Sequence, residues 1–366
     1  FGMGLLTAAV AYAVSRSLRA AVRAQVRLML AENVLYWVVF GLFLLLRFSN
    51  PDLWHPWFGG EKPMDFAFLN AVIKSPFYPP YNPWCSGEYI NYYYMGFVMC
   101  SVWVKLSGVI PSVAYNLLIP TMAANTAVAA FCAGGMLLNG TLARGNGAKR
   151  QGIPFSRAVY WVGGTASAFL AVFSGNLYEW LLLLRDQVPD WDWFWAASRA
   201  IFTPEGDVPP ITEFPFFTFL YGDLHAHMMN MPLFLLNLLL AAALLSRKKN
   251  MGWITVFAAL NLGMMYTVNA WDFPAGVLLM SGAFFFRCRE GWGRRVWSTL
   301  WYAAGLAAAS VLFFFPFHVD YQAGYGAFTW WKGARTGVRD YLLIYGVLLT
   351  PPLLFFVRWA VNPHRR

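Results

Sequence analysis

The run "LWYAAGLAAASVLFFFPF" (300–317) carries no charged side chain. In lipid a helix satisfies its own backbone, and about 17 to 25 apolar residues carry it across roughly 30 Å of hydrocarbon. The runs "VLYWVVFGLFLLL" (34–46) and "MPLFLLNLLLAAALL" (231–245) approach the same length. Composition agrees, since 59% of residues are hydrophobic and only 12% are charged, which is outside the range of soluble globular domains. The expected fold class is therefore all-α: a polytopic integral membrane protein of about nine to eleven transmembrane helices.

The net charge of +10 does not point to nucleic acid, because the basic residues gather in short stretches beside apolar runs. These clusters are Arg16/Arg19/Arg23/Arg27, Arg144/Lys149/Arg150, Arg247/Lys248/Lys249, Arg287/Arg289/Arg294/Arg295 and Arg365/Arg366. Most acidic residues fall in three longer segments, 48–93, 175–230 and 318–338. Bases are thus expected on the cytoplasmic face and acids outside, in the cell membrane. Cys85, Cys100, Cys132 and Cys288 have no CxxC or ligand-like spacing, so they imply neither a disulfide framework nor a metal site.

With no internal repeat, residues 1–366 read as a single transmembrane domain with outer loops 48–93, 175–230 and 318–338. Residue 1 is Phe rather than Met, so a processed or partial chain is expected. From residue 158 onward the alternation of sides works. Upstream, placing 48–93 outside and 140–157 inside requires an odd number of passes in 94–139, a stretch that reads as two helices broken at "SGVIPS". Either it holds three short helices or the basic stretch 140–157 lies outside.

Chemistry is expected in the outer loops. "MDFAFLNAVIK" has apolar residues at helical spacing, with Asp65 in its first turn and Lys74 near its last, as the helix dipole favours. A capping role would explain Asp65, but Glu61, Lys62 and Asp65 together in a long aromatic loop also suit a catalytic acid group. In "ITEFPFFTFLYGDLHAHMMNMP" (211–232), Asp223, His225 and His227 would share one face of an extended backbone and suit a divalent cation; in a helix only Asp223 and His227 would. Glu213 lies upstream. Proton transfer or phosphate hydrogen bonding by the same residues competes with metal binding. Asn269 and Asp272 in "NAWDFP" are candidates, or simply a cap and turn before Pro274. Arg199, Lys332 and Arg335 are outer-face cations that suit a phosphate or the neighbouring acids.

The segments "GEKPMDFAFLNAVIKSPFYPPYNPWCSGEYINYYYMG", "EFPFFTFLYGDLHAHMMNMP" and "NAWDFP" resemble, in order, the DUF2298 proteins, an archaeal and Chloroflexi-type membrane family named for its YYY motif. Asn82 stands where that family often has Asp. The family in turn is thought to be related to the GT-C superfamily of polytopic glycosyltransferases. That resemblance implies a prokaryotic membrane enzyme with a long first outer loop carrying interfacial helices, and a polyprenyl-phosphate-linked sugar as donor. Asp65 matches the position of a catalytic acid, and Asp223-Leu224-His225 resembles a metal-binding Asp-x-His.

On that basis Asp65 is the expected base, with Glu61 and Glu213 as further catalytic candidates. A divalent metal (Mg, Mn or Zn) on Asp223, His225 and His227, or else Arg199, Lys332 or Arg335, would stabilise the leaving phosphate. Tyr92, Tyr93, Tyr94, Trp84, Asn91, Asn269 and Asp272 are expected to bind substrate, the aromatic faces packing on sugar or prenyl chain. The partners implied are the lipid-linked donor and membrane lipids, and no nucleic acid. A transporter or lipid flippase and a metal-dependent membrane hydrolase centred on "DLHAH" are the alternatives.

Overall fold

In a computed structural model the described residues are Tyr12 and 15–361, apart from 56–58, 146–156, 186–189, 202–208, 247–250, 323–329, 331 and 334. Lys149, Arg150, Asp186, Glu205, Asp207, Arg247, Lys248, Lys249, Arg365 and Arg366, used above to sort charge by side, lie outside them. The helices are α1 (Arg16–Ser49), α2 (Lys62–Lys74), α3 (Met95–Ser107), α4 (Pro111–Gly145), α5 (Arg157–Phe173), α6 (Leu177–Leu183) and α7 (Trp191–Ala197). There follow α8 (Pro215–Tyr221), α9 (Ala226–Ser246), α10 (Met251–Val268), α11 (Phe273–Arg287), α12 (Trp292–Phe313), α13 (Phe315–Asp320) and α14 (Val338–Val361). No strand occurs among the described residues; Tyr81 and Tyr89 form an isolated bridge.

The protein is an all-α polytopic membrane protein. Among the described residues five helices are long and apolar enough to cross a membrane, or up to six if the α5–α6 pair, bent by 74°, is one span. By length and composition alone this is fewer than the nine to eleven expected, in part because two apolar runs form shorter helices, α3 with 13 residues and α11 with 15. α11 nevertheless runs the depth of α9, from Asp272 bonded to Asn230 at one end to Arg287 bonded to the Leu244 carbonyl at the other.

The length of α3 also removes the conflict in 94–139. Gly108, in the left-handed conformation, ends α3, and α4 begins three residues later. Asn116 in the first turns of α4 donates to the Pro51 carbonyl at 3.1 Å and accepts from Arg47 Nε at 2.9 Å, so α4 starts on the face where α1 ends. Both ends of α3 therefore lie towards the face of the 50–93 loop. The stretch makes one pass, through α4, rather than two or three.

α4 is the central helix: 61% of its apolar window is buried, against 11% for α1 and α12. Between lipid-exposed helices the hydrophobic drive is weak, and small residues let backbones approach. At the α4–α5 contact a Cβ on Gly134 would meet Ser167 and the Gly163 carbonyl. Further on, α9 packs on α10 and α11, with Asn237 Nδ2 donating to the Gly276 carbonyl at 3.0 Å. Above these spans α2, α7, α8 and the start of α9 assemble one polar face.

Candidate functional site

Two local features build this face. Glu61 precedes α2, and Asp65, one turn on, donates its amide to the Glu61 carbonyl at 2.9 Å. Residues i and i+4 share a helix face, so the two carboxyls project together. Across from them Gly222, at φ 69°, closes α8 in a left-handed cap. Asp223, Leu224 and His225 are non-helical before α9 begins. The alternation of such a backbone sends Leu224 inward, where it is fully buried, and Asp223 and His225 to the other side. Tyr115 of α4 pins the segment, its hydroxyl accepting from the Leu224 N–H at 2.8 Å.

His225 Nε2 lies 3.0 Å from Glu61 Oε2, and its Nδ1 lies 3.9 Å from Asp223 Oδ2. Burial opposes the imidazolium, but the Glu61 hydrogen bond and the charges of Asp223, Glu61 and Asp65 outweigh it and raise the His225 pKa to about 9. The bond to His225 holds Glu61 below the usual carboxylate range. At neutral pH this pair is therefore an imidazolium and a carboxylate. His225 and Glu61 keep 27% and 48% of their side chains exposed, so the pair is open to a ligand.

Asp65 is the reverse case. It is 0% exposed, and neither carboxyl oxygen has a hydrogen-bond partner. Burial, then the charge of Asp223, pushes its pKa well above the ordinary value. Asp223 is also raised by burial, against the pull of His225 and Lys62. The elements that carry them adjoin: Glu61 beside α2 bonds His225, and Phe66 of α2 packs edge-on at 5.9 Å against Tyr115, which accepts from the Leu224 N–H. The capping explanation does not apply to Asp65: Glu61 occupies the N-cap, and it makes no side-chain capping bond either.

His227 departs from the expected ligand set. It falls in the first turn of α9, its ring 4.7 Å from that of His225 and its Nε2 3.2 Å from Thr218 Oγ1. The backbone turns helical between the two histidines, so three side chains that a continuous strand would align do not converge. Among the described residues no group of three His, Cys, Asp or Glu side chains is placed to hold a metal. Asp223, His225 and His227 as arranged here do not fit a divalent ion.

The other candidates divide. Tyr92 packs on Phe68 of α2 at 5.5 Å, on the helix that carries Asp65; burial, then the charges of Asp65, Glu61 and Asp223, raises its pKa. Tyr93 packs on Tyr321 at 5.7 Å, and buried Tyr94 packs on Phe317 at 5.2 Å and Tyr78 at 6.2 Å. Those two dock the loop onto the 317–321 segment. Asn91 does the same, exchanging hydrogen bonds with the Gln322 backbone at 3.0 and 2.9 Å. Trp84 is exposed at a turn where Asn82 Oδ1 accepts its N–H.

Asn269 joins Asn230 in binding Asp272 Oδ2, at 3.0 and 2.6 Å, a separate cluster that fastens α9 to the α10–α11 turn. Arg199 lies 3.5 Å from Glu213 and over the Trp195 ring, so its charge is already met by an acid. Lys332 and Arg335 are exposed and form no ion pair with the cluster.

Two cavities border the elements that carry the cluster. One, of about 550 Å³, is an apolar groove among α4, α5, α9 and α14, walled by Ala130, Leu170, Ala171, Leu235 and Leu348. Its end at Glu213 is shared with a smaller cavity of about 270 Å³ that reaches Thr218 and His227. The second, of about 560 Å³, opens beside Arg47, Lys62 and Tyr221. Sequence reasoning missed Arg47, Tyr115, Thr218 and Tyr221 as parts of the site. Only Arg47 left a signal, an arginine at the end of an apolar run, where a charge is costly unless used.

A sequence profile described as uncharacterized membrane protein (DUF2298) matches residues 1–366. No curated protein matches, and no solved structure does.

Proposed function

The chain belongs to the DUF2298 family of membrane proteins, and we propose that it is a GT-C-type glycosyltransferase taking its sugar from a polyprenyl-phosphate-linked donor at the non-cytoplasmic membrane face. The observation that carries this reading is an apolar groove whose end at Glu213 is shared with a smaller cavity lined by Thr218 and His227. The His227 ring lies 4.7 Å from that of His225, so the polar end of this path stops one side chain from the acid–histidine cluster. A donor with a prenyl tail and a phosphate head needs such a path: apolar for the chain and polar where the head stops.

In this reading Asp65 takes the proton of an acceptor hydroxyl as its oxygen bonds to the anomeric carbon. The bond from that carbon to the donor phosphate breaks, and the phosphate leaves with the electron pair. A carboxylate whose pKa burial raises is a stronger base than a free one, and an incoming hydroxyl would satisfy oxygens that the protein leaves unpartnered. The His225 imidazolium, oriented by Glu61 and Asp223, supplies positive charge to the departing phosphate.

The test is transfer from a defined polyprenyl-phosphate sugar in reconstituted membranes. Asp65→Asn is expected to lower kcat by roughly 100-fold or more while the protein remains monodisperse. Transfer at the wild-type rate by D65N would remove Asp65 as base.

A further inference from the structure

The second cavity contains two buried cations that no carboxylate neutralises by direct contact. Arg47 is 4% exposed and Lys62 is 6% exposed. Arg47 Nε and Nη2 donate to the Asn116 amide oxygen at 2.9 and 2.6 Å, and Nη2 lies 3.5 Å from the Asp52 carbonyl. Among the described residues its Nη1 has no hydrogen bond. Lys62 Nζ sits 4.3 Å from the centre of the Tyr221 ring and, among the described residues, makes neither a hydrogen bond nor a salt bridge.

The two carboxylates that line the same cavity each hold a backbone N–H rather than a cation. Asp52 Oδ1 accepts from the Trp54 N–H at 2.9 Å, and Asp190 Oδ1 caps α7 through the Trp193 N–H at 2.9 Å. Asp223 and Asp52 act on both cations from a distance, but among the described residues neither forms an ion pair with them, and an anion in the cavity would meet both charges directly. The fold enforces this arrangement: a Cβ on Gly60, at φ 58°, would collide with Tyr221, and one on Gly222 would lie 3.0 Å from Arg47 Nη1. Glycine at both positions lets the ring and the guanidinium approach the backbone.

We propose that this cavity binds a phosphate-bearing ligand, with Arg47 Nη1 and Lys62 Nζ as donors to the phosphate oxygens and Trp191, Phe194 and Tyr221 walling the group that the phosphate carries. A guanidinium edge and a point-like ammonium suit a tetrahedral dianion, which a single carboxylate would only half neutralise. The volume of about 560 Å³ exceeds what a bare phosphate fills. This site shares no lining residue with the apolar groove, and the proposal holds whether or not a glycosyl group is transferred.

The experiment uses the full chain in nanodiscs. Radiolabelled inorganic phosphate and pyrophosphate are the soluble probes; in a second arm the nanodiscs contain a polyprenyl phosphate or only neutral lipid. Saturable, salt-sensitive binding is expected, and Lys62→Met weakens it about tenfold or more while Lys62→Arg largely preserves it. Size-exclusion and circular-dichroism profiles confirm that both variants fold. Binding of the soluble probes unaffected by lipid assigns a water-soluble phosphate ligand, and their displacement by polyprenyl phosphate assigns a lipid head group. Absence of saturable binding of any probe overturns the proposal, as does equal binding by Lys62→Met and wild type.

Discussion

The carboxyl groups of this site sit in opposed environments, and single substitutions read that difference out. Glu61 is half exposed and bonded to His225, whereas Asp65 is enclosed and unpartnered. His225 has a folded pKa raised from 6.5 to about 9. The stability it gains from Glu61 and Asp223 is complete below the unfolded value and is lost as pH rises through about 9. Glu61→Gln removes the carboxylate whose hydrogen bond does most to raise that pKa, so the His225 titration, followed by NMR on labelled histidine, is expected to move to lower pH. A value still near 9 would contradict the assignment. For Asp65 the sign is reversed, because a raised carboxyl pKa means that ionisation costs folding energy once pH passes the unfolded value of about 3.8. Asp65→Asn should therefore melt higher than wild type at pH 8, with the gap closing towards pH 4. A stability cost retained at a site that needs an ionisable group is the pattern expected of a functional residue.

Among the elements, the connection from α8 to α9 does most to shape the site. In the run of Gly222, Asp223, Leu224 and His225, the Leu224 N–H donates to the Tyr115 hydroxyl on α4. Tyr115→Phe leaves that buried N–H without a partner, at a cost of about 1 to 3 kcal/mol. Faster hydrogen exchange at residues 223–225 and a lower Tm are expected, with α9 itself unchanged. The helical periodicity of "MDFAFLNAVIK" made α2 legible, and the helix spans Lys62–Lys74 with Asp65 in its first turn as expected. His-x-His was legible as a motif but not as a ligand set. Periodicity cannot say where a strand-like stretch becomes a helix, and that change falls between His225 and His227. The YYY motif likewise divides, with Tyr92 packed on α2 and Tyr93 and Tyr94 packed against the 317–321 segment.

In the whole molecule, the apolar groove and the sidedness of the loops carry the remaining predictions. Ala171→Phe puts a ring into the groove wall and is expected to raise KM several-fold for a long-chain donor while sparing a short-chain soluble analogue. Equal effects on both would show that the groove does not hold the chain. Cys85 is exposed in the 50–93 loop while Cys100 is buried. An impermeant maleimide should therefore label Cys85 in sealed right-side-out vesicles; labelling only after inversion would place this face in the cytoplasm. The membrane class, the helical composition and the separation of acidic from basic segments follow from residue order alone, because hydrophobicity summed over a span and charge beside it are local properties. Three outcomes needed the tertiary structure: one pass in 94–139, the meeting of Asp65 with Asp223 and His225, and the buried cations at Arg47 and Lys62. Each depends on which face of one helix meets another far along the chain, and side-chain contacts such as Arg47 to Asn116 or Tyr115 to Leu224 leave no periodic trace in the sequence.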